Sequence, residues 1–179
     1  MLVLVIGPSG VGKDTLIAYC RARLAGKATI VFPRRTVTRP AGDETEDHDA
    51  VSEEEFRQRD AAGAFALRWQ AHGLSYGVPV QIDDDLAAGR TVVANVSRSI
   101  IDETRAKYPN LRIVCVTASP EILARRLQGR GREGEAEIAR RLERARSVAV
   151  EGPDVVILDN SGAPEEAGGR LLELVMRAG

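Results

Sequence analysis

Gly7-Pro8-Ser9-Gly10-Val11-Gly12-Lys13-Asp14 is the stretch that decides the fold of this 179-residue chain. It reads G-x-x-x-x-G-K, followed by a carboxylate where that pattern ordinarily has serine or threonine. The continuous apolar run 2–6 before it predicts a strand buried on both faces of a parallel sheet. Residues 15–24 after it predict a helix that ends at Gly26. A strand, a glycine-rich turn and a helix in this order predict a phosphate-binding loop.

The loop has the chemistry to hold a triphosphate. Glycines let the backbone curl so that successive N–H groups point inward at phosphate oxygens. The helix N-terminus adds partial positive charge, and Lys13 reaches the terminal phosphates. A glycine-rich turn with a chance lysine is the alternative, and it does not explain the strand and helix in register on either side. The predicted nucleotide-binding residues are Gly7, Pro8, Ser9, Gly10, Val11, Gly12, Lys13, Asp14 and Thr15.

Composition predicts a compact cytoplasmic enzyme of one domain. The hydrophobic content is 44%, and the net charge of −1 gives no reason to expect nucleic acid or an anionic membrane. The opening apolar run is too short for a membrane span or a signal peptide and lacks a basic flank. Cys20 and Cys115 lie in apolar contexts far apart in sequence, so we expect buried free thiols.

Charge is unevenly distributed along the chain. Residues 43–55 are acidic, and residues 125–146 hold eight arginines. Arginine without lysine favours forked recognition of phosphate oxygens. A solvated helix face is the alternative, because glutamates between the arginines offer local partners.

The rest of the chain alternates as an α/β fold does. Apolar runs predict strands at 29–32, 91–96, 111–116 and 154–158, with shorter strands at 65–69 and 73–76. A capping box at Ser52 and the Ser119-Pro120 pair predict helix starts, and 164–176 predicts the closing helix. This alternation predicts a parallel sheet with helices on both faces. The region 35–80 fits the rhythm poorly, which indicates an inserted lobe.

The chain resembles guanylate kinase over nearly its whole length. The resemblance rests on the loop, on Arg35-Thr36-Val37-Thr38-Arg39-Pro40, on the run 51–56, on Gly73-Leu74-Ser75-Tyr76-Gly77 and on the arginines of 126–141. It implies a single P-loop kinase domain over 1–179. Its core would be 1–34, 81–125 and 142–179, with an acceptor-binding lobe at 35–80 and an arginine-rich lid at 126–141.

Guanine-reading residues of that family are missing here. The family has an arginine after T-R-P, a tyrosine before F-V-S, a glutamate after F-L and a hydroxyl after Y-G. This chain has Gly42, His48, no glutamate in 65–69, and Val78 at those places. Because a base-reading site needs its polar partners, guanine is not the expected acceptor.

The metal site also departs from the family. P-loop kinases usually end the strand at 91–96 in an aspartate that helps hold Mg²⁺, whereas this strand ends at Asn95. The loop's usual hydroxyl is replaced by Asp14. We therefore expect the carboxylate to have moved from strand to loop, so that Asp14 and Asn95 serve Mg²⁺. The alternative is that Asp14 is only a helix-start residue favoured by the dipole.

These features together resemble the ribose 1,5-bisphosphate phosphokinases, a specialised group related to guanylate kinase. The resemblance rests on the loop ending in Lys13-Asp14, on the segment 67–78, on the N-x-S-R pattern at Asn95 and on residues 119–133. It implies transfer of the ATP γ-phosphoryl group to ribose 1,5-bisphosphate, giving 5-phospho-α-D-ribose 1-diphosphate, in phosphonate catabolism and supply of nucleotide and NAD precursors. A nucleoside monophosphate kinase and a non-catalytic guanylate-kinase-like binding module remain as alternatives.

The resemblance also implies roles for individual side chains. Lys13 and Asp14 would act on the phosphates and Mg²⁺, and the lid arginines would neutralise the transferring phosphoryl group: Arg126, Arg130, Arg132 and Arg141. The acceptor's phosphates and hydroxyls would be met by Arg35, Arg39, His48, His72, Tyr76, Ser97 and Arg98. Asn160, after the last strand, would contact adenine. A structural role is the alternative for each histidine.

Overall fold

A computed structural model describes residues 1–39, 48–128 and 150–178 of the chain. In chain order its strands are β1 (Leu2–Ile6), β2 (Ile30–Val31), β3 (Arg35–Val37), β4 (His48–Ala50), β5 (Phe65–Ala71), β6 (Leu74–Pro79), β7 (Thr91–Asn95), β8 (Leu111–Thr117) and β9 (Val155–Asp159). Its helices are α1 (Lys13–Arg23), α2 (Glu53–Ala61), α3 (Ile82–Ala87), α4 (Ile101–Lys107), α5 (Pro120–Gln128) and α6 (Pro164–Met176), and a 3₁₀ turn at Arg98–Ile100 precedes α4.

The central sheet is parallel, with strand order β2-β7-β1-β8-β9. All five residues of β1 are 0% exposed, because both faces of this middle strand are covered. Val3 and Val5 pack with α1 and α6, whereas Leu2, Leu4 and Ile6 belong to a second core. The carboxyl ends of β1, β7, β8 and β9 meet at one edge, where ligands bind in open α/β sheets.

A second, mixed sheet is formed within residues 35–79, with strand order β4-β3-β6-β5. β5 and β6 form an antiparallel hairpin in which Ala71 pairs with Leu74. The two residues between them, His72 (φ 54°) and Gly73 (φ 74°), both take the left-handed conformation that such a tight hairpin turn requires. This sheet shares the apolar core that contains Leu4 and Ile6. It therefore lies over one face of the central sheet.

The predicted α/β fold with a central parallel sheet and flanking helices is confirmed. The closing helix has the predicted bounds, and the Ser52 hydroxyl caps α2 by accepting the Glu55 N–H at 3.1 Å. Helices α3 and α4 were not predicted, because they are only six and seven residues long and lie between the predicted strands without interrupting one. The two cysteines are free and buried, as expected. Within the described ranges, no helix is long and apolar enough to cross a membrane.

Candidate active site

The loop between β1 and α1 curls through three glycines with positive φ: Gly7 at 146°, Gly10 at 83° and Gly12 at 97°. A Cβ on Gly7 would lie 2.4 Å from the Val116 carbonyl oxygen, so the loop sits directly against β8. Lys13 Nζ donates to the carbonyl oxygens of Gly7 (2.9 Å) and Pro8 (3.0 Å). The ammonium group therefore lies over the curled loop, where terminal phosphates would be met.

Asp14 and Asn95 lie together at the carboxyl edge of the sheet. The Asn95 side-chain amide donates to Asp14 Oδ1 at 2.7 Å, joining the end of β7 to the first turn of α1. Arg35, from β3 of the second sheet, approaches the same carboxylate oxygen at 3.5 Å. Its other terminal nitrogen donates to the Asn95 backbone carbonyl at 3.4 Å. One carboxylate thus meets an amide from the central sheet and a cation from the second sheet.

One cleft of about 250 Å³ joins the loop to the second sheet. Its loop side is lined by Gly7, Pro8, Ser9, Gly10, Gly12, Lys13, Asp14 and Thr15. Its other side is lined by Arg35, Trp69, Ala71, His72, Tyr76, Asn95, Val96, Ser97 and Arg98. The lining therefore combines the loop backbone and Lys13 on one side with two arginines, two aromatic rings and a serine hydroxyl on the other. Such a surface suits two phosphorylated ligands placed side by side.

Two aromatic rings form a wall of the cleft. The Trp69 and Tyr76 rings stack with centroids 5.2 Å apart and planes 1° apart. The Arg35 guanidinium carbon lies 6.0 Å from the centre of the Tyr76 ring, on the edge of cation–π range. Trp69 and Tyr76 are each less than a tenth exposed. This side of the cleft is consequently a buried aromatic surface beside a cation.

Behind the loop, two side chains donate to the Val11 carbonyl oxygen. The Asn160 side-chain amide does so at 2.8 Å and Arg126 at 3.2 Å. Asn160 follows β9 and is 2% exposed, and Arg126 lies near the end of α5. The loop is thus held from below by the ends of two core elements.

Cys115 is the buried thiol nearest this site, on the strand that pairs with β1. Burial raises the pKa of the Cys115 thiol, and the cationic Arg98 and Lys13 act in the opposite direction. The thiol is therefore protonated at neutral pH and is not a nucleophile.

The structure brings most of the predicted site residues into the cleft. Those in its lining are the loop residues except Val11, together with Arg35, His72, Tyr76, Asn95, Ser97 and Arg98. Arg39 and His48 are described but do not line the cleft, and the His48 side chain is buried. Arg126 and Asn160 lie behind the loop. Arg130, Arg132 and Arg141 lie outside the described residues, as does most of the predicted lid.

Sequence reasoning missed three residues of the lining, namely Trp69, Ala71 and Val96. Trp69 carried a usable signal, because β5 alternates between buried Leu67 and Trp69 and exposed Arg68 and Gln70. That period marks Trp69 as inward-facing. Ala71 and Val96 carried no signal, since small apolar residues at strand ends have many uses.

Comparison with known proteins shows the family. The guanylate kinase family model matches residues 1–171. The chain is 47% identical to the ribose 1,5-bisphosphate phosphokinase of Agrobacterium fabrum, covering 99% of this chain and 97% of the relative. It is 52% identical to the enzyme of that name from Acidiphilium cryptum, covering 98% and 92%.

Solved structures agree on the fold. Guanylate kinase from Anaplasma phagocytophilum superposes with a TM-score of 0.67 at 21% identity, covering 99% of this chain and 84% of the other. A sugar kinase from Janibacter superposes with a TM-score of 0.54 at 16% identity, covering 99% and 94%.

Proposed function

The chain belongs to the guanylate kinase family and, within it, to the ribose 1,5-bisphosphate phosphokinases, and we propose that it transfers the γ-phosphoryl group of ATP to the 1-phosphate of ribose 1,5-bisphosphate. It is a phosphotransferase, and its family implies ATP as donor. The observation that carries the proposal is the single cleft in which the phosphate loop faces Arg35, Tyr76, Ser97 and Arg98. The choice of ribose 1,5-bisphosphate as acceptor rests on the 47% and 52% identity to relatives with that activity in their names, over nearly the whole chain.

The reaction needs no general base in this site. An oxygen of the acceptor's 1-phosphate attacks the γ-phosphorus, and the bond from that phosphorus to the β–γ bridging oxygen breaks. ADP leaves with the bonding electron pair, and the product is 5-phospho-α-D-ribose 1-diphosphate. Because a phosphate dianion is already a nucleophile at neutral pH, the protein has only to position the reactants and neutralise charge. This agrees with a cleft that offers cations and backbone donors.

On the donor side, we assign the β- and γ-phosphates to the loop N–H groups and to Lys13. The ammonium group lies over the loop in contact with two of its carbonyls, within reach of a ligand seated there. The lid arginines predicted from sequence are assigned to the transferring group: Arg126, Arg130, Arg132 and Arg141. Of these, Arg126 is next to the loop, on the Val11 carbonyl.

Mg²⁺ fits the pair formed by Asp14 and Asn95. The 2.7 Å hydrogen bond from the Asn95 amide nitrogen to Asp14 Oδ1 holds both side chains beside the loop, where the carboxylate supplies the oxygen donors that Mg²⁺ prefers and Asn95 would orient a bound water. No cluster of three or more acidic, histidine or cysteine ligands exists among the described residues. Phosphates and water would complete the coordination, as is usual for this ion. When bound, Mg²⁺ neutralises charge on the phosphates.

On the acceptor side, Arg35 is the side chain that links the two ligands. It contacts Asp14 at 3.5 Å and lies beside Tyr76 in the cleft wall. A cation on Asp14 would displace the guanidinium and leave it for an acceptor phosphate. Arg98 and Ser97 lie in the same lining and are assigned to the other acceptor oxygens. His72 and Tyr76 are assigned to the sugar, and Arg39 and His48 remain predictions without a place in the lining.

The stacked pair of Trp69 and Tyr76 supports a sugar rather than a nucleobase as acceptor. An indole occupies the wall of the cleft, and Val78 further along β6 is fully buried. Neither side chain offers an acceptor for the N1–H and amino group of guanine, whereas an aromatic wall suits the apolar face of a pentose.

The decisive experiment compares acceptors with Mg-ATP as donor. We expect turnover of ribose 1,5-bisphosphate, with the new diphosphate detected by ³¹P NMR, and at most trace turnover of GMP. Robust phosphorylation of GMP would instead support a nucleoside monophosphate kinase. Calorimetry tests the donor site, since ATP binding should disappear in Lys13→Ala and persist in Lys27→Ala, an exposed lysine outside the cleft. Absence of ATP binding in the natural protein would favour a non-catalytic module.

A further inference from the structure

We propose that Asn160 is a positioning residue whose side-chain amide fixes the Val11–Gly12 peptide, so that the Gly12 N–H faces the triphosphate. This inference rests on the proposed function only in requiring that the loop binds a triphosphate. It departs from the adenine contact expected for Asn160 from sequence, and the two roles give different results in a binding experiment.

Asn160 is a fixed point in the fold. It is the first residue after β9, and its backbone N–H donates at 2.8 Å to the carbonyl of Thr117, the last residue of β8. Its side chain is held at 2% exposure. From this anchored place the side-chain Nδ2 donates to the Val11 carbonyl oxygen at 2.8 Å. A strand end of the core sheet thus holds one chosen carbonyl of the phosphate loop.

The geometry of the peptide bond turns this contact into a functional one. In a planar trans peptide the carbonyl and the following N–H point in opposite directions. Because the Val11 oxygen is turned toward Asn160, the Gly12 N–H is turned away from it. Gly12 lines the cleft, so the opposite side is the side of the ligand. Without Asn160 this carbonyl would keep only the longer hydrogen bond from Arg126 among the described residues, and the peptide beside the flexible glycine would be held less firmly, so the Gly12 N–H would be aimed less precisely.

Packing at Gly12 agrees with a dedicated contact. A Cβ on Gly12 would lie 2.6 Å from Asn160 Nδ2, and Gly12 has a φ of 97°. The glycine is therefore required twice, for its conformation and for the close approach of the amide. Its size lets the peptide and the amide meet directly.

The other end of the Asn160 amide shows that the side chain is not there for packing. Within the described part of the chain, its Oδ1 is buried and has no hydrogen-bond partner. An unpaired buried acceptor is unfavourable, so an apolar residue would be the better filler at this position. The hydrogen bond that Nδ2 of the same amide donates to the Val11 carbonyl oxygen offsets this cost. Arg126 also donates to the Val11 oxygen, at 3.2 Å. If that arginine turns to a phosphate, Asn160 still holds the peptide.

Calorimetric binding of ATP, GTP and inorganic tripolyphosphate to Asn160→Ala and Asn160→Asp tests the assignment. We expect all three ligands to weaken by the same factor, on the order of tenfold for Asn160→Ala, the value of one well-placed hydrogen bond. Asn160→Asp should weaken them further, because a carboxylate oxygen then faces the Val11 carbonyl. Ser161→Ala is the matched control. It removes hydrogen bonds to Ser119 and Asp159 from the same segment and should leave binding unchanged.

Two results would overturn the proposal. Weakened ATP binding with unchanged tripolyphosphate binding would assign Asn160 to the adenine base. Unchanged binding of every ligand, with a lowered melting temperature only, would make it a packing residue. If the first two variants do not fold, Asn160→Ser keeps a short donor and decides by the same comparison. The binding experiment contains no acceptor substrate. If the natural protein failed to phosphorylate ribose 1,5-bisphosphate, the proposed function would therefore be rejected and this inference would still stand.

Discussion

Replacing Asp14 by asparagine tests the rebuilt metal site most directly. The change keeps the shape of the side chain and removes its charge. Two unit charges 4 Å apart in water attract by about 1 kcal/mol, so a divalent cation and a carboxylate gain about 2 kcal/mol. The water value applies because the Asp14 side chain is 40% exposed. This is the attraction that the substitution removes.

Part of that attraction is already taken up by Arg35. Its guanidinium lies 3.5 Å from the carboxylate, which is worth about 1 kcal/mol in water and is lost when Mg²⁺ binds. The net loss in Asp14→Asn is therefore about 1–2 kcal/mol, or roughly a 5- to 30-fold weaker apparent affinity for Mg²⁺.

The assay measures turnover against free Mg²⁺ at fixed ATP, together with calorimetric binding of Mg-ADP as a readout independent of activity. We expect the Mg²⁺ requirement of Asp14→Asn to rise by the stated factor, and turnover to recover largely at high Mg²⁺. Asp84→Asn removes an exposed carboxylate of α3 and is the control. An unchanged Mg²⁺ requirement would refute the assignment and make Asp14 a helix-start residue only.

Three further substitutions address other parts of the structure. Trp69→Ala should raise KM for ribose 1,5-bisphosphate about fivefold in steady-state assays while KM for ATP stays within twofold, since an aromatic contact contributes about 1 kcal/mol. Equal effects on both would contradict the acceptor wall. Gly7→Ala should lower the free energy of unfolding by about 1–3 kcal/mol in urea titration, because a Cβ would lie 2.4 Å from the Val116 oxygen at a positive φ. Asp154→Asn should lower the melting temperature at pH 7, since Arg105 binds this carboxylate through two bonds of 2.9 Å and lowers the pKa of Asp154. Because the pKa of Asp154 is lower in the folded state, this ion pair stabilises the protein fully above the unfolded-state pKa near 4, and the stabilisation is lost as the pH falls. A difference in melting temperature between variant and natural protein that persists undiminished below about pH 3 would contradict this prediction.

Local patterns made the core of this fold predictable. The central strands are short apolar runs buried on both faces, and such runs are visible without knowledge of their neighbours. Residues 2–6 and 164–176 have the predicted bounds. The first hairpin strand was predicted to end at 69 instead of 71, and the second to span 73–76 instead of 74–79, because the turn at His72 and Gly73 depends on a left-handed histidine. That conformation is uncommon for a side chain with a Cβ, and the sequence alone does not indicate it.

The sequence determined the chemistry of the donor side, because the phosphate loop is one continuous segment whose spacing fixes its shape. It also predicted that Asp14 and Asn95 act together, because both depart from the usual pattern of P-loop kinases. The structure places the two side chains in contact at 2.7 Å. Only the tertiary structure decided what surrounds that pair: Arg35 arriving from the second sheet, Trp69 in the wall of the cleft, and Asn160 beneath the loop. These contacts join residues far apart in the chain. The physical reason is that local spacing sets backbone shape, whereas burial and long-range contact follow from how the sheets pack.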